Sequence, residues 1–268
     1  MIQNESFDDI EVTIQGHVAI IEIQRPPHNF FDYSLIQQIA SAMEGVDKDT
    51  NLRAAVLCAQ GKSFCAGANF NSDGTSSNQN GGSDTADRSS HLYVEAVRLF
   101  ATKTPIVGAI QGAAIGGGFG LSLVPDFRVA CPEARFAANF TRLGFHPGFG
   151  LTHTLPSLIG HQKASLMFYT SRRIKGEEAY QWGLADMLVP LDAVRHSAIT
   201  LAQEIAENSP LGVVETRATM RQGLADRVRK ATDHELVVQN KLRATEDFKE
   251  GIRAVAERRV PNFKGLQS

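Results

Sequence analysis

Three consecutive glycines, Gly116, Gly117 and Gly118, stand in the middle of the stretch GAAIGGGFGLSLVPDFRVA (112–130) and open a short apolar run that Pro125 closes. Backbone without side chains at a helix start leaves amide N–H groups unshielded, where orphan donors and the positive end of the helix dipole coincide. Two demands explain such a feature: a negatively charged atom brought against the backbone, or a helix packed closely on a strand. Spacing removes three loops of the first kind. A G-x-G-x-x-G fingerprint counted from Gly116 and Gly118 ends on Leu121, and a phosphate loop ending in Gly61-Lys62-Ser63 needs glycine where Val56 stands. A nucleophile elbow around Ser122 needs glycine where Val124 stands. What survives is a donor site for developing negative charge, such as an enolate or tetrahedral oxyanion on a thioester, with close packing as the alternative.

The glycines sit inside an alternation of β and α patterns. Residues 10–24 alternate around a Gly16-His17 turn and predict a β-hairpin. Helical spacing follows over Tyr33–Val46, then a buried strand over 53–60. Residues 71–90 are rich in Gly, Ser, Asn and Asp and predict a long loop or linker. A helix over Leu92–Ala101 and a strand at 106–112 precede the glycines, and a strand at 127–131 follows them. Further helices are predicted over Thr152–Phe168 and Lys175–Gly183, with a strand at 184–190. Beyond Leu191 the pattern is helical: Asp192–Glu207, Pro210–Leu224 with Ser209 as N-cap, and Asp233–Glu257. The expectation is an α/β core over residues 1–190 with a helical C-terminal segment over 191–268.

Composition narrows the function classes. The 268 residues carry a net charge of -2, and the basic clusters Arg221–Lys230 and Arg253–Arg259 read as helix surface, so no nucleic-acid partner is expected. Three cysteines, Cys58, Cys65 and Cys131, give neither a disulfide framework nor a metal site. No apolar run approaches the roughly 20 residues a membrane span needs, and the acidic, polar start lacks a signal-peptide pattern. A cytoplasmic location and no membrane association are expected.

A second stretch, GKSFCAGANF (61–70), joins a strand end to a small-residue turn with another exposed amide near Gly67-Ala68. Together the two loops resemble those of the enoyl-CoA hydratase/isomerase (crotonase) superfamily. The likeness runs on through PIVGAIQG (105–112), DFRVA (126–130), Phe136, Leu143-Gly144, PGFG (147–150), Leu155-Pro156, Gly160, Glu178 to Leu184 and RRVPNFKG (258–265). It covers roughly residues 10–265, in order.

The resemblance implies a crotonase-like ββα spiral core and an acyl-CoA substrate, with coenzyme A as part of the substrate and no separate cofactor. It implies that the Ala68 and Gly117 amides form an oxyanion hole, and that Ala66, Gly67, Asn69, Phe70 and Gly116 line the substrate groove. Arg25 matches a basic residue near the CoA phosphates. Phe263 and Lys264 match a CoA-contacting pair that a neighbouring subunit often supplies, although Lys264 also reads as a solvated tail charge. A homotrimer or dimer of trimers (a hexamer) is implied, with the C-terminal helices between subunits. The apolar spacing of Leu236, Val237, Leu242, Phe248, Ile252 and Val255 suits that, and equally suits packing on the chain's own core.

One part of the pattern is missing. The family's two hydratase glutamates fall here on Gly120 and Phe140, and the aspartate of some relatives' P-G-x-G turn falls on the Gly148-Phe149 pair. None of these side chains transfers a proton. His146 is the first candidate to replace them, with a loop histidine bonded to backbone as the alternative. His153 is weaker. Asn139 and Arg142 flank Phe140 and can orient a carbonyl or carboxylate, Asp73, Asp84 and Asp87 lie in the 71–90 loop, and Asp126 is read as satisfying backbone donors after the helix. The expected function is therefore an acyl-CoA enzyme of this family that stabilises an enolate, with isomerase or lyase chemistry in fatty acid metabolism open. The alternative is a non-catalytic acyl-CoA-binding member of the fold.

Overall fold

Gly16 adopts φ +61 and turns the chain between β1 (Ile10–Gln15) and β2 (Val18–Ile23), whose antiparallel register runs from Ile10 opposite Ile23 to Gln15 opposite Val18. The computed structural model describes residues 6–68 and 92–265. β1 alternates between inward and exposed residues, whereas β2 is buried throughout, as suits an edge strand beside an interior one. β3 (Ala54–Ala59), β5 (Ile106–Ile110), β7 (Phe127–Ala130) and β10 (Met187–Leu188) add in parallel, giving the order β1-β2-β3-β5-β7-β10.

A second sheet was not legible in the sequence. β4 (Ser63–Cys65), β6 (Ala113–Ile115), β8 (Arg135–Ala137) and β9 (Arg173–Lys175) pair in that order, each only three residues long. Each of the first three begins shortly after a strand of the larger sheet, so the chain passes from one sheet to the other and back, three times. This is the ββα repeat of the spiral core.

Helices cover the sheets. α1 (Tyr33–Lys48) is capped by the Asp32 carboxylate, which accepts from the Leu35 N–H, and it buries Leu35, Ile36, Ile39, Ala40, Met43 and Val46. Each large member of that stripe contributes about 1.5–3 kcal/mol by leaving water. α2 (Leu92–Phe100) packs on α1. α3 (Gly117–Ser122) follows the triple glycine, and α6 (Gly176–Trp182) follows β9.

Two long helices expected from periodicity are each two helices. The run Thr152–Phe168 divides into α4 (Leu151–Ile159) and α5 (His161–Thr170) at Gly160, which takes φ +82. The run Asp233–Glu257 divides into α9 (Leu224–Arg243) and α10 (Glu246–Ala256), where Thr245 caps the second helix by accepting from the Phe248 N–H. α8 (Pro210–Met220) starts as expected, with the Ser209 hydroxyl accepting from the Gly212 N–H at 3.4 Å.

The helices beyond residue 190 do not stand apart. α7 (Val194–Ala206) packs across β2, β3, β5 and β7, while α9 lies against α2 and α4. Asp126 is structural, in line with its reading: it accepts from the Ile106 N–H at 2.9 Å and pairs with Arg217 and Arg221 of the C-terminal segment at 2.8 Å. Among the described residues no helix is long and apolar enough to cross a membrane.

Candidate active site

The first site loop leaves β4 as Ala66-Gly67-Ala68. Its backbone is held by the segment before α1: the Ala66 N–H donates to His28 O at 2.9 Å, and the Phe31 N–H donates to Gly67 O at 3.1 Å. Asn29 locks that segment from behind. Fully buried, it donates to Gln60 O and Ser63 O and accepts from the Arg25 N–H. Gly67 has φ +86, and a Cβ there would stand 2.7 Å from Ile115 O, so glycine is required twice over.

The second loop leaves β6. Gly116 donates its N–H to Ala137 O at 2.8 Å and takes φ 56, ψ −123, which turns the chain into α3. The carbonyl of Gly116 accepts from Phe119 and Gly120, so the Gly117 N–H lies in the first helical turn, where no intrahelical acceptor exists. The two loops touch: a Cβ on Gly67 would lie 3.9 Å from the Gly117 nitrogen. Among the described residues neither the Ala68 N–H nor the Gly117 N–H has a hydrogen-bond acceptor. Ala66, Gly67, Ala68, Gly116 and Gly117 line one wall of a cavity of about 290 Å³. Close packing, the alternative reading of the glycines, holds as well. A Cβ on Gly117 would meet the Phe31 ring at 2.2 Å, and one on Gly118 would meet Cys65 O at 2.1 Å.

The two positions that match the family's glutamates differ in kind. A Cβ on Gly120 would lie 2.6–2.8 Å from Phe149, whose ring fills that space. Phe149 itself sits at φ +62 in the Pro147–Gly150 turn, and α9 holds this turn through two side chains. Glu235 accepts from Gly150 N–H (2.8 Å), Thr152 N–H (3.0 Å) and the Thr152 hydroxyl (2.6 Å), and burial pushes its carboxyl above the usual range. Gln239 donates to His146 O at 2.9 Å and Pro147 O at 3.3 Å. Phe140, by contrast, lines the cavity with its ring.

The opposite wall is made by side chains of α2, α9 and α10 together with the loop around Leu143. Tyr93 donates its hydroxyl to Gln239 Oε1 at 2.8 Å, and burial pushes its pKa up, so it stays neutral. Arg243, one turn beyond Gln239, lies over the Phe145 ring at 5.3 Å. Tyr93, Gln239 and Arg243 carry no local sequence signal, because α2 and α9 meet only in the folded chain. Asn139 stands near the glycine wall, its Oδ1 3.3 Å from where a Gly116 Cβ would be.

Other candidate residues lie elsewhere. His146 does not line the cavity; its Nδ1 is 2.8 Å from Pro147 O, and burial lowers its pKa. His153 also lies outside it, beside Arg227 at 3.4 Å. The Arg25 guanidinium is engaged by Asp9 at 2.6 Å and Asp32 at 2.8 Å and lines no part of the cavity. Phe263 and Lys264 are on the exposed tail, where the Lys264 N–H donates to Asp247. Asn69, Phe70, Asp73, Asp84 and Asp87 lie outside the described residues. Cys58, Cys65 and Cys131 are buried free thiols.

Comparison with known proteins identifies the family of this chain. The sequence profile of the enoyl-CoA hydratase/isomerase family matches residues 13–267. The 2,3-dehydroadipyl-CoA hydratase of Escherichia coli is 30% identical over 260 residues, spanning 97% of this chain and 100% of the relative. The crotonyl-CoA hydratase of Syntrophomonas wolfei is 30% identical, spanning 96% and 98%. The crystal structure of an enoyl-CoA hydratase/isomerase from Pseudoalteromonas atlantica superposes with a TM-score of 0.85 at 25% identity, covering 96% of this chain and 100% of that one.

Proposed function

This chain belongs to the enoyl-CoA hydratase/isomerase family, and from that premise we propose that it turns over an acyl-CoA thioester whose carbonyl oxygen accepts from the Ala68 and Gly117 amides. The observation that carries this reading is the meeting of two glycine-dependent loops at one cavity wall, each presenting an N–H without an acceptor among the described residues. As a bond at the thioester α-carbon breaks, negative charge moves onto the carbonyl oxygen. Donors already fixed in place stabilise it without reorganising, each by about 2.7–4 kcal/mol. Both hydratases compared above are named for CoA thioesters, which supports this substrate class and an enzyme over a non-catalytic binder.

Among the described residues, no carboxylate or imidazole lines the cavity. The reading is therefore an enolate-forming reaction whose proton handling does not use a pair of glutamates. Asn139 and Tyr93 are the polar side chains that fit a role in orienting substrate or water there. A trimer belongs to the same reading, supported by the exposed Leu211 and Met220 on α8, and light scattering of the purified protein tests it.

The test is incubation with crotonyl-, 3-enoyl-, dienoyl-, malonyl-type and β-keto-CoA in D₂O, followed by mass spectrometry and ultraviolet absorbance. Deuterium exchange at the α-carbon or conversion of at least one thioester is expected. Gly116→Ala, which misdirects the Gly117 amide, should slow it by about 10²-fold. Tight binding of the whole panel with neither exchange nor conversion would overturn the reading.

A further inference from the structure

The far wall of the cavity holds a cation that makes no ion pair or hydrogen bond among the described residues. Gln239 is fully engaged, with both its donors and its oxygen committed to His146, Pro147 and Tyr93. Arg243 is not: half-buried and laid on the Phe145 ring, it has neither an ion pair nor a hydrogen bond among the described residues. Phe145 is itself braced by Phe248, with ring centroids 5.0 Å apart. The ring contact places the guanidinium at the cavity lining, with no hydrogen-bond acceptor among the described residues to occupy its N–H groups.

We propose that Arg243 selects acyl-CoA thioesters whose acyl chain ends in a carboxylate. The inference rests on the acyl-CoA reading above, and deepens it by naming the acyl group. Phe140, Leu143 and Arg243 line the same cavity as the glycine wall, so an acyl chain whose thioester carbonyl sits at that wall would have Arg243 among its neighbours. The cavity of about 290 Å³ has room for roughly ten water-sized groups, which suits a short chain and its terminal group. An alkyl end placed there would strip water from the guanidinium and give nothing in exchange, which is costly for a charge. A carboxylate replaces the lost water with charge-assisted, in-plane hydrogen bonds. The same residue thus favours one class of acyl chain and penalises the other.

Binding to the unmodified protein, followed by calorimetry with saturated and therefore unreactive ligands, tests this. The matched pairs are adipyl- against hexanoyl-CoA and glutaryl- against pentanoyl-CoA, with free CoA as reference. The carboxylated member of at least one pair is expected to bind about ten- to a hundredfold tighter. Arg243→Met should remove or invert that preference while leaving free CoA affinity and the melting temperature unchanged, and Arg243→Lys should retain part of it. Equal binding within both pairs, or tighter binding of the alkyl members, would overturn the inference and leave the acyl-CoA reading standing. An Arg243→Met protein that loses free CoA to the same extent would place the guanidinium on the CoA moiety and also overturn it. Failure to bind CoA or any of its thioesters would overturn both.

Discussion

The two walls of the cavity are built by opposite means. The glycine wall is backbone: positive φ angles fix Gly67 and Gly116, and contacts at Gly67 and Gly117 leave no room for a Cβ. The far wall is side chain, with Tyr93 reaching from α2 and Gln239 and Arg243 from α9. Backbone donors are fixed by sterics and tolerate almost no variation. Side chains on helices are freer to vary where, as at Arg243, they hold no backbone turn in place among the described residues. On the proposed reading, the first wall would set what kind of bond is activated, and the second what is attached to it.

The largest effect is expected where backbone meets backbone. Gly118→Ala sets a methyl 2.1 Å from Cys65 O, a contact with no flexible partner to give way. A loss of about 3 kcal/mol in a urea titration is expected. Unchanged stability would break the claim that packing fixes the glycine wall.

Next comes Gly120, one of the two positions that match the family's glutamates. Gly120→Glu should cost about 2 kcal/mol or more because Phe149 occupies its space, and the cost should be strongly coupled to Phe149. Combining it with Phe149→Ala should recover part of that cost, measured as a double-mutant cycle in the same titration. Additive losses would show that Phe149 is not what excludes the carboxylate.

A smaller effect concerns how α9 holds the Pro147–Gly150 turn. The Glu235 carboxyl titrates in the folded chain above its ordinary 4.5, because burial outweighs its three donors. Its contribution to stability is thus fully present below pH 4.5 and is lost as pH rises through the folded pKa. Glu235→Gln should remove that decline from a series of melting curves. A decline that persists in the variant would assign it to another group.

The smallest effect is expected at His146, whose ring lies outside the cavity lining with Nδ1 close to Pro147 O. His146→Gln should change turnover of whichever thioester is active by less than about threefold. A loss near 10²-fold, the lower range of general acid–base catalysis, would return the imidazole to the reacting centre and blur the division between the walls.

Much of this molecule was legible in its amino-acid order. The hairpin at Gly16-His17, the alternation of strands and helices and the Ser209 cap follow from local rules about φ, capping and period, whereas the two glycine loops were legible as a pair only through their resemblance to a family. The second sheet was not, since strands of three residues carry too little pattern and form only because loops meet across the core. Nor were the breaks at Gly160 and Thr245, where amphipathic spacing continues across a turn of the chain. The sequence by itself determined where side chains are absent, because a glycine's freedom is a property of the residue and its neighbours. The tertiary structure alone decided what fills the space opposite. Phe149 over Gly120, and Arg243 on Phe145 at the far wall, are contacts between residues distant in sequence, and only packing brings them together.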